Sequence, residues 1–307
     1  MTNHDDKTNS LEQAVTHCYS TWSDNYYQDY YLSDAAYPPV HTQIVRDELV
    51  SSGATSLLDA GCGPASMLRD LNDLGIERYG FDLTAEMVVE ARRIMVEQNV
   101  PESHIWHGSV LDQASFRSPP QGYGAAICFG VLPHIPADQD AVALANLTAS
   151  VQPGGLVLAE ARNQLFALFT LNRYSLDFFR KELIDEASLR ARAVPEETGA
   201  IDVALREIES HFCVDLPPVR TGKVDEPGYD EVLSRTHNPF EMRNAAEVAG
   251  LVDIEILFYH YHAMPPLVGS LLPQTFRSAS LALESPRDWR GHFLASAFIL
   301  KGRKPAP

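Results

Sequence analysis

Hydrophobic runs of strand length alternate with amphipathic stretches through the middle of the chain. After Thr84, which is predicted to cap a helix, apolar residues recur at helical spacing at Met87, Ala91 and Ile94, and a second helix is predicted from Ala137 to Ser150. The predicted strands are Thr55–Ala60, Arg78–Leu83, Ile105–Leu111, Ala125–Val131 and Leu156–Ala161. Strands that alternate with helices are typical of βαβ units, so the pattern predicts a parallel sheet.

After residue 161 the alternation stops and later resumes. Residues 162–236 contain amphipathic helical stretches and a connection rich in Pro, Gly and acids, without a clear strand. A helix over Pro239–Ala249, ended by Gly250, precedes two more predicted strands, Leu251–Tyr259 and His292–Lys301. We therefore predict four segments, which are a helical N-terminal cap at 1–50, a core at 51–161, a helical insertion or lid at 162–236, and the completion of the core at 237–307.

The net charge of the chain limits the kinds of molecule that it is expected to bind. The 307 residues include 24 Lys and Arg against 41 Asp and Glu, which gives a formal net charge of −17 at pH 7. Such a negative surface repels phosphate backbones and anionic headgroups, which argues against nucleic acid and membrane partners and favours a small molecule. The sequence has no long apolar run, no secretory leader pattern, and cysteines too far apart for a zinc site or a disulfide framework. We expect a cytoplasmic protein without a metal.

A glycine turn follows the first predicted strand. The sequence Leu-Leu-Asp-Ala-Gly-Cys-Gly ends at Gly63, and glycines after a buried strand let the backbone approach a ligand closely. A second acid, Asp82, ends the next strand 21 residues after Gly61, where it can accept hydrogen bonds from ribose hydroxyls. The dinucleotide fingerprint would need glycine at position 66, where the chain has Ser66, so a nicotinamide oxidoreductase is disfavoured.

The turn with Asp59 resembles the first motif of class I S-adenosylmethionine (SAM) dependent methyltransferases, especially those of ubiquinone and menaquinone biosynthesis. The resemblance covers roughly residues 55–161 and 239–302 and extends to the segments 79–87, 107–112, 128–136 and 151–155. It implies an α/β fold, a Rossmann-like seven-stranded, mostly parallel sheet with helices on both faces, plus a helical N-terminal segment and a helical insertion after strand 5. SAM is the implied cofactor.

The resemblance also assigns roles to individual residues. Asp59 is expected to orient the ammonium of SAM, and Asp82 to hold the ribose. The other implied cofactor contacts are Gly61, Cys62 and Gly63 at the methionine part, Leu83 and Met87 at the adenosine, Ser109, Val110 and Asp112 at the adenine, and Phe129 and Gly130 near the sulfonium. Ser109 stands where relatives often carry an acid, and Pro133 replaces a common Glu. Cys62 is expected to behave as a small hydrophobe.

The acceptor side is predicted from polar residues near strand ends. The candidate general bases are His134, His260 and His262, of which His134 and His260 are favoured, and a base is needed mainly for a hydroxyl acceptor. Strand alternation predicts that Tyr259 and Tyr261 share one face and that His260 and His262 share the other. Candidate substrate contacts are Arg162 and Arg173, which suit a carboxylate or phosphate, with Tyr174 and Tyr259.

Aromatic residues crowd the stretch before the first strand. They are Tyr19, Trp22, Tyr26, Tyr27, Tyr30, Tyr31 and Tyr37. Such rings would suit the positive sulfonium of SAM, or would form the packing faces of helices, which we favour for most of them.

The leading hypothesis is methyl transfer from SAM to a small molecule, with a carboxylate-bearing metabolite such as an amino acid as one acceptor, through N-, O- or S-methylation. The alternatives are a natural-product or sugar O-methyltransferase and a SAM-binding protein without catalysis. A homodimer is kept as an alternative to a monomer.

Overall fold

A seven-stranded sheet is the frame of the protein. The computed structural model describes residues 2–20, 38–217 and 232–307. The strands are β1 Ser56–Ala60, β2 Glu77–Asp82, β3 Ile105–His107, β4 Tyr123–Cys128, β5 Val151–Arg162, β6 Val252–Tyr261 and β7 Ala295–Arg303. Their order across the sheet is β3-β2-β1-β4-β5-β7-β6, and β7 alone runs antiparallel to its neighbours. The predicted Rossmann-like, mostly parallel sheet is confirmed.

Glycines and helical turns move several strand ends away from their predicted places. β3 ends at His107 because Gly108 begins a turn in which a Cβ would lie 2.7 Å from the Ser115 side chain. β4 ends at Cys128 because Gly130 has a left-handed φ of 68°. Before β7, residues Gly291–Leu294 form a helical turn, so the predicted start at His292 was wrong.

Twelve α-helices and seven 3-10 turns are found within the described ranges, together with one π-helical turn. The helices are α1 Thr2–Ser20, α2 Val40–Ser52, α3 Ser66–Asp70, α4 Ala85–Glu97, α5 Asp140–Ser150, α6 Ala167–Thr170, α7 Arg173–Phe178, α8 Glu186–Arg192, α9 Thr198–Glu209, α10 Pro239–Val248, α11 Pro273–Ala282 and α12 Gly291–Leu294. The 3-10 turns are Asn72–Leu74, Glu102–His104, Gln113–Phe116, Leu132–His134, Ala137–Gln139, Gln164–Phe166 and Pro266–Leu271, and the π-helical turn is Phe179–Leu183. Within these ranges, no helix combines the length and the apolar character that crossing a bilayer requires.

Helices cover both faces of the sheet. In β1, Leu57 joins one core cluster with residues of α2, α3 and α4, whereas Leu58 joins a second cluster with residues of α5 and α10. This alternation follows from the two-residue period of a strand. Gly250, with a left-handed φ of 87°, ends α10 as its sequence position predicts, and the amide of Leu251 donates to the carbonyl oxygen of Ala246.

The segment after β5 is helical but broken. The stretch 165–184, predicted to be amphipathic helix, changes direction at Leu171, which has a left-handed φ of 55°, and at Asn172, whose side chain caps α7. α8 was not predicted. The division of the chain into cap, core, insertion and completion stays a prediction.

Candidate active site

One cavity of about 510 Å³ opens at the carboxyl ends of the parallel strands. The order of the sheet reverses between β1 and β4, and ligands of open α/β sheets bind at such a switch point. We divide the wall into two parts. The β1–β3 half consists of Asp59, Gly61, Cys62, Gly63, Asp82, Leu83, Met87, Ser109 and Val110, and the β4–β7 half consists of Phe129, Gly130, His134, Glu160, Arg162, Tyr259 and His260, together with Tyr19 and His41.

The glycine turn is tied to the second strand. The amides of Gly61 and Cys62 both donate to the carbonyl oxygen of Phe81, at 2.8 and 2.9 Å. Gly61 has a left-handed φ of 86°, and a Cβ there would lie 2.3 Å from Cγ2 of Val131. Glycine is therefore required at position 61 for both conformation and space.

Asp82 fixes the part of the cavity wall between the glycine turn and α4. Its carboxylate accepts the amide of Gly63 at 2.8 Å and the amide of Thr84 at 2.8 Å, so it fixes the turn and the start of α4 together. Thr84 stands at the predicted cap position, but its side chain does not cap the helix. Each carboxylate oxygen has two lone pairs, so Asp82 can still accept hydroxyl groups from a ligand.

Asp59 is 3% exposed and faces the cavity. Burial, and secondarily the charge of Asp82, raises the pKa of Asp59 to about 8. The carboxyl is therefore mostly neutral at pH 7, and a cationic group beside it would favour its ionised form. Burial also raises the pKa of the Cys62 thiol well above its usual range, so Cys62 is not a nucleophile in this cavity.

The far end of the β1–β3 half is covered by α1. The hydroxyl of Ser109 donates to Glu12 of this helix at 2.7 Å, and both residues line the cavity. Asp112, which the resemblance places at the adenine, is absent from the described cavity wall. Its carboxylate accepts the amide of Ala114 and the hydroxyl of Ser115, because it caps the 3-10 turn that follows.

His134 is held on both sides of its ring. Nε2 lies 2.9 Å from the phenol oxygen of Tyr19 in α1, and Nδ1 lies 2.7 Å from the carbonyl oxygen of Leu233. The ring therefore donates from Nδ1 and accepts at Nε2, which is the neutral form, and burial lowers its pKa to about 4. This geometry suits a residue that positions α1 and the 232–237 segment better than it suits a general base.

The 232–237 segment crosses the β4–β7 half. Arg162 donates to the hydroxyl of Ser234, and the amide of His237 donates to the carbonyl oxygen of Arg162 at 2.7 Å. Arg235 donates from Nε to the carbonyl oxygen of Ile135 at 2.7 Å and forms an ion pair with Asp140. These bonds fix the segment against the loop after β4 and place the Arg162 guanidinium at the cavity wall.

The alternation predicted for the end of β6 was wrong. Tyr259 belongs to the core cluster on one face of the sheet, whereas Tyr261 belongs to the cluster on the opposite face. His260 between them has a left-handed φ of 59°, which rotates the strand by one side-chain position. As a result His260 lines the cavity, while His262 packs against Phe166 and lies outside the described cavity wall.

Two predicted substrate contacts lie elsewhere in the part of the chain that is described. Arg173 donates to the carbonyl oxygen of Leu216, and Tyr174 is 53% exposed on α7, and neither is among the described residues of the wall. Of the aromatic residues before β1, Tyr19 lines the cavity. The others, Trp22, Tyr26, Tyr27, Tyr30, Tyr31 and Tyr37, lie outside the described residues.

Sequence reasoning missed Glu160 and His41. Glu160 lies two residues before the carboxyl end of β5, and Asp82 lies at the carboxyl end of β2, so an acid near a strand end was the signal that could have found it. Its Oε2 accepts the amide of Gly130 at 2.9 Å, and burial raises its pKa. His41 lies on α2 between the rings of Phe129 and Tyr259, and nothing near it in the sequence marks it. Within the described ranges, no group of three His, Cys, Asp or Glu could hold a metal ion.

A comparison with protein families finds a match to the part of the chain that contains β1 to β4. Residues 57–155, about a third of the chain, match the family model described as a methyltransferase domain. That match does not separate the quinone-biosynthesis enzymes from others, so the closer resemblance stays a prediction. No curated protein matches the sequence.

Solved structures with a similar fold are distant in sequence. The magnesium protoporphyrin IX methyltransferase of Synechocystis PCC 6803, with S-adenosylhomocysteine (SAH) bound, is 16% identical over 95% of this chain and 99% of that chain, with a TM-score of 0.49. A SAM-dependent methyltransferase of Archaeoglobus fulgidus is 14% identical over 86% of this chain and 94% of that chain, with a TM-score of 0.46.

Proposed function

We propose, from the premise that residues 57–155 form a SAM-dependent methyltransferase domain, that the chain transfers a methyl group from SAM to a small molecule that carries a carboxylate, such as an amino acid. The observation that carries the proposal is that one cavity holds both kinds of charge, with Asp59 and Asp82 in the β1–β3 half and Arg162 in the β4–β7 half. Two acids suit a cationic nucleoside cofactor, and one arginine suits an anionic acceptor.

The residues of the β1–β3 half fit SAM. The cavity volume of about 510 Å³ is in the range of small-molecule sites. The absence of a side chain at Gly61 leaves the backbone open to a ligand, Asp59 would take the ammonium, and Asp82 would accept the ribose hydroxyls. Ser109 and Val110 would lie along the adenine.

When bound, SAM supplies a methyl group on a positively charged sulfur, from which an acceptor atom can displace it in line. The chain then has to hold the acceptor about 3 Å from the methyl carbon and keep water out. Arg162 would fix the acceptor carboxylate through paired hydrogen bonds. His134 and the 232–237 segment would cover the site, since they connect α1 to the loop after β4.

The imidazoles of the β4–β7 half favour an acceptor that needs no general base. Burial lowers the pKa of His260 to about 3, which makes it a weak proton acceptor. His134 is engaged at both ring nitrogens. We therefore propose an amine or thioether as the acceptor atom, because either can attack the methyl carbon without losing a proton first, provided that the amine arrives unprotonated.

The proposal is tested by incubating the purified chain with SAM and each of the twenty amino acids, and by measuring SAH release. We expect release above background with at least one of them. For that substrate, Arg162→Gln should raise KM by roughly 10- to 100-fold, the cost of one charge-assisted pair. The matched control Arg180→Gln, on an exposed helical turn that pairs with Glu186, should leave KM within twofold. Absence of SAH release with every amino acid would overturn this acceptor class, and an unchanged KM for Arg162→Gln would remove Arg162 from the site.

A further inference from the structure

We infer that Glu160 makes the cavity prefer SAM over its product SAH, because its carboxylate faces the side of the cavity toward which the transferable methyl group must point. This inference rests on the proposed function. It concerns a residue without a role in that proposal, and it assigns to it a part in cofactor discrimination. The chemical basis is simple, since SAM carries a positive sulfonium and SAH a neutral thioether.

The side chain of Glu160 is held in a fixed orientation at the cavity wall. The side chain is 7% exposed and lines the cavity at the end of β5. Its Oε2 accepts the amide of Gly130 at 2.9 Å, and the phenol of Tyr259 donates a second hydrogen bond. Two donors, one from the loop after β4 and one from β6, thus hold the carboxylate in a fixed position, although burial raises its pKa.

The order of the strands places Glu160 on the methyl side. Along the sheet edge the strand ends follow the order β3, β2, β1, β4, β5. An adenine at β3, a ribose at Asp82 and an ammonium at Asp59 leave the sulfur between the last two, because the sulfur links the ribose to the methionine part. The methyl group must then point away from the cofactor toward β4 and β5, where Gly130 and Glu160 line the wall.

The distances along this edge are short enough for an electrostatic effect. Neighbouring strands lie about 4.8 Å apart, so β5 is roughly 10 Å from β1 at the backbone, and the side chains reduce that separation. β4 lies between β1 and β5. Burial raises the pKa of the Cys128 thiol on this strand, and the charges of Asp59 and Glu160 raise it further. An ion pair across several ångströms in such a site corresponds to roughly tenfold in affinity.

Asp59 provides the internal comparison. The ammonium group is present in both SAM and SAH, so a carboxylate that binds it supports both ligands alike. The sulfonium is present only in SAM, so a carboxylate that attracts it separates them. Loss of the Asp59 charge should therefore leave the ratio of the dissociation constants, Kd(SAH)/Kd(SAM), unchanged, whereas loss of the Glu160 charge should lower it.

The test is calorimetric titration of the full chain with SAM and with SAH at pH 7.5. We expect Glu160→Gln to weaken SAM roughly tenfold and SAH less than twofold, because Gln keeps the size of the side chain and an acceptor for the Gly130 amide. Asp59→Asn should weaken both ligands by similar factors. The matched control Glu247→Gln removes one charge from the exposed side of α10 and should change neither constant.

The outcomes separate the inference from the proposed function. If wild-type protein binds SAM but Glu160→Gln leaves Kd(SAH)/Kd(SAM) within twofold of the wild-type ratio, the inference is wrong and the proposed function is untouched. If wild-type protein binds neither ligand, both are wrong. Should the Gln variant not fold, Glu160→Asp, which keeps the charge and withdraws it by one methylene, should lower the ratio at least twofold, and an unchanged ratio would overturn the inference.

Discussion

The β1–β3 half of the cavity comes from three successive strand ends between Asp59 and Val110, whereas the β4–β7 half collects side chains from segments between Tyr19 and His260 that lie far apart in the chain. The two halves also differ in their titratable side chains. Burial raises the pKa of Asp59 to about 8 in the first half, and in the second it lowers the pKa values of His41 and His134 to about 4.

Burial thus raises the pKa of an acid and lowers the pKa of an imidazole, so Asp59, His41 and His134 all favour the neutral form near pH 6. An acid with a raised pKa is ready to ionise beside a cation, which suits a cofactor site. Neutral imidazoles do not repel a cation or protonate an amine, which suits the acceptor proposed here. Burial therefore prepares an acid to bind the cationic cofactor and also keeps the imidazoles from protonating an amine acceptor.

The largest expected effect is a loss of stability on substitution of Gly61, in the glycine turn of the β1–β3 half. Gly61→Ala places a residue with a Cβ in a left-handed backbone conformation, which costs about 1–2 kcal/mol. The added Cβ also clashes with Val131, which costs about 1–3 kcal/mol more. We expect a loss of roughly 2–5 kcal/mol in the free energy of unfolding, measured with urea. Gly63→Ala is the control, because its φ is also left-handed but no atom lies within 4 Å of the added Cβ. Equal losses in the two variants would show that Val131 does not restrict the turn.

The second prediction concerns the raised pKa of Asp59. In the unfolded chain the carboxyl has its ordinary pKa near 4, so its stabilising contribution is complete below that pH and is lost as the pH rises through about 8. Asp59→Asn should therefore flatten the fall in stability of the ligand-free protein between pH 5 and pH 8, by up to about 1.4 kcal/mol per pH unit.

In the same pH interval, SAM affinity of wild-type protein should rise with pH, because a cation binds the ionised form of Asp59. Calorimetry in two buffers of different ionisation enthalpy should detect proton release on binding. A SAM affinity that does not change between pH 6 and pH 8.5 would contradict the assignment of Asp59 to the ammonium.

The same contrast explains what the sequence could predict. The β1–β3 half follows from local rules, since a strand, a glycine turn and an acid at the next strand end appear within 27 residues from Ser56 to Asp82. The β4–β7 half depends on tertiary packing. His41 lies on α2 and lines the cavity, and no periodic pattern in the sequence predicts this position. The separation of His262 from His260 was unpredictable because one left-handed residue reverses the alternation of a strand.

Other residues that were predicted for the site differ in the same way. Gly61 and Asp82 both line the cavity, because the chain between them is short and fixed by backbone bonds. Asp112 lies outside the described wall because a local amide and hydroxyl satisfy its carboxylate. Arg173 failed to reach the wall because the helical segment breaks at Leu171, a break that composition does not reveal.

The third prediction tests the β4–β7 half at acid pH. A histidine with a lowered pKa contributes stability that is complete above its ordinary pKa near 6.5 and is lost as the pH falls toward about 4. His134→Gln should reduce the dependence of unfolding free energy on pH between 6.5 and 4 by up to about 1.4 kcal/mol per pH unit. The control His211→Gln changes an exposed histidine that faces Glu207 and should leave this slope unaltered. A slope that is the same in wild type and His134→Gln would mean that His134 is not held neutral.

The smallest expected effect isolates backbone strain at the end of β6. His260→Ala and His260→Gly both remove the imidazole from the cavity, but only glycine adopts the left-handed φ of 59° without cost. We expect the Gly variant to be more stable than the Ala variant by about 1 kcal/mol in urea unfolding, a difference reduced by the greater freedom of glycine in the unfolded chain. An Ala variant that is the more stable of the two would mean that the strand relaxes to regular alternation once the imidazole is gone. In that event the side chain of His260, through its place in the cavity wall, would be what holds the backbone in its unusual conformation.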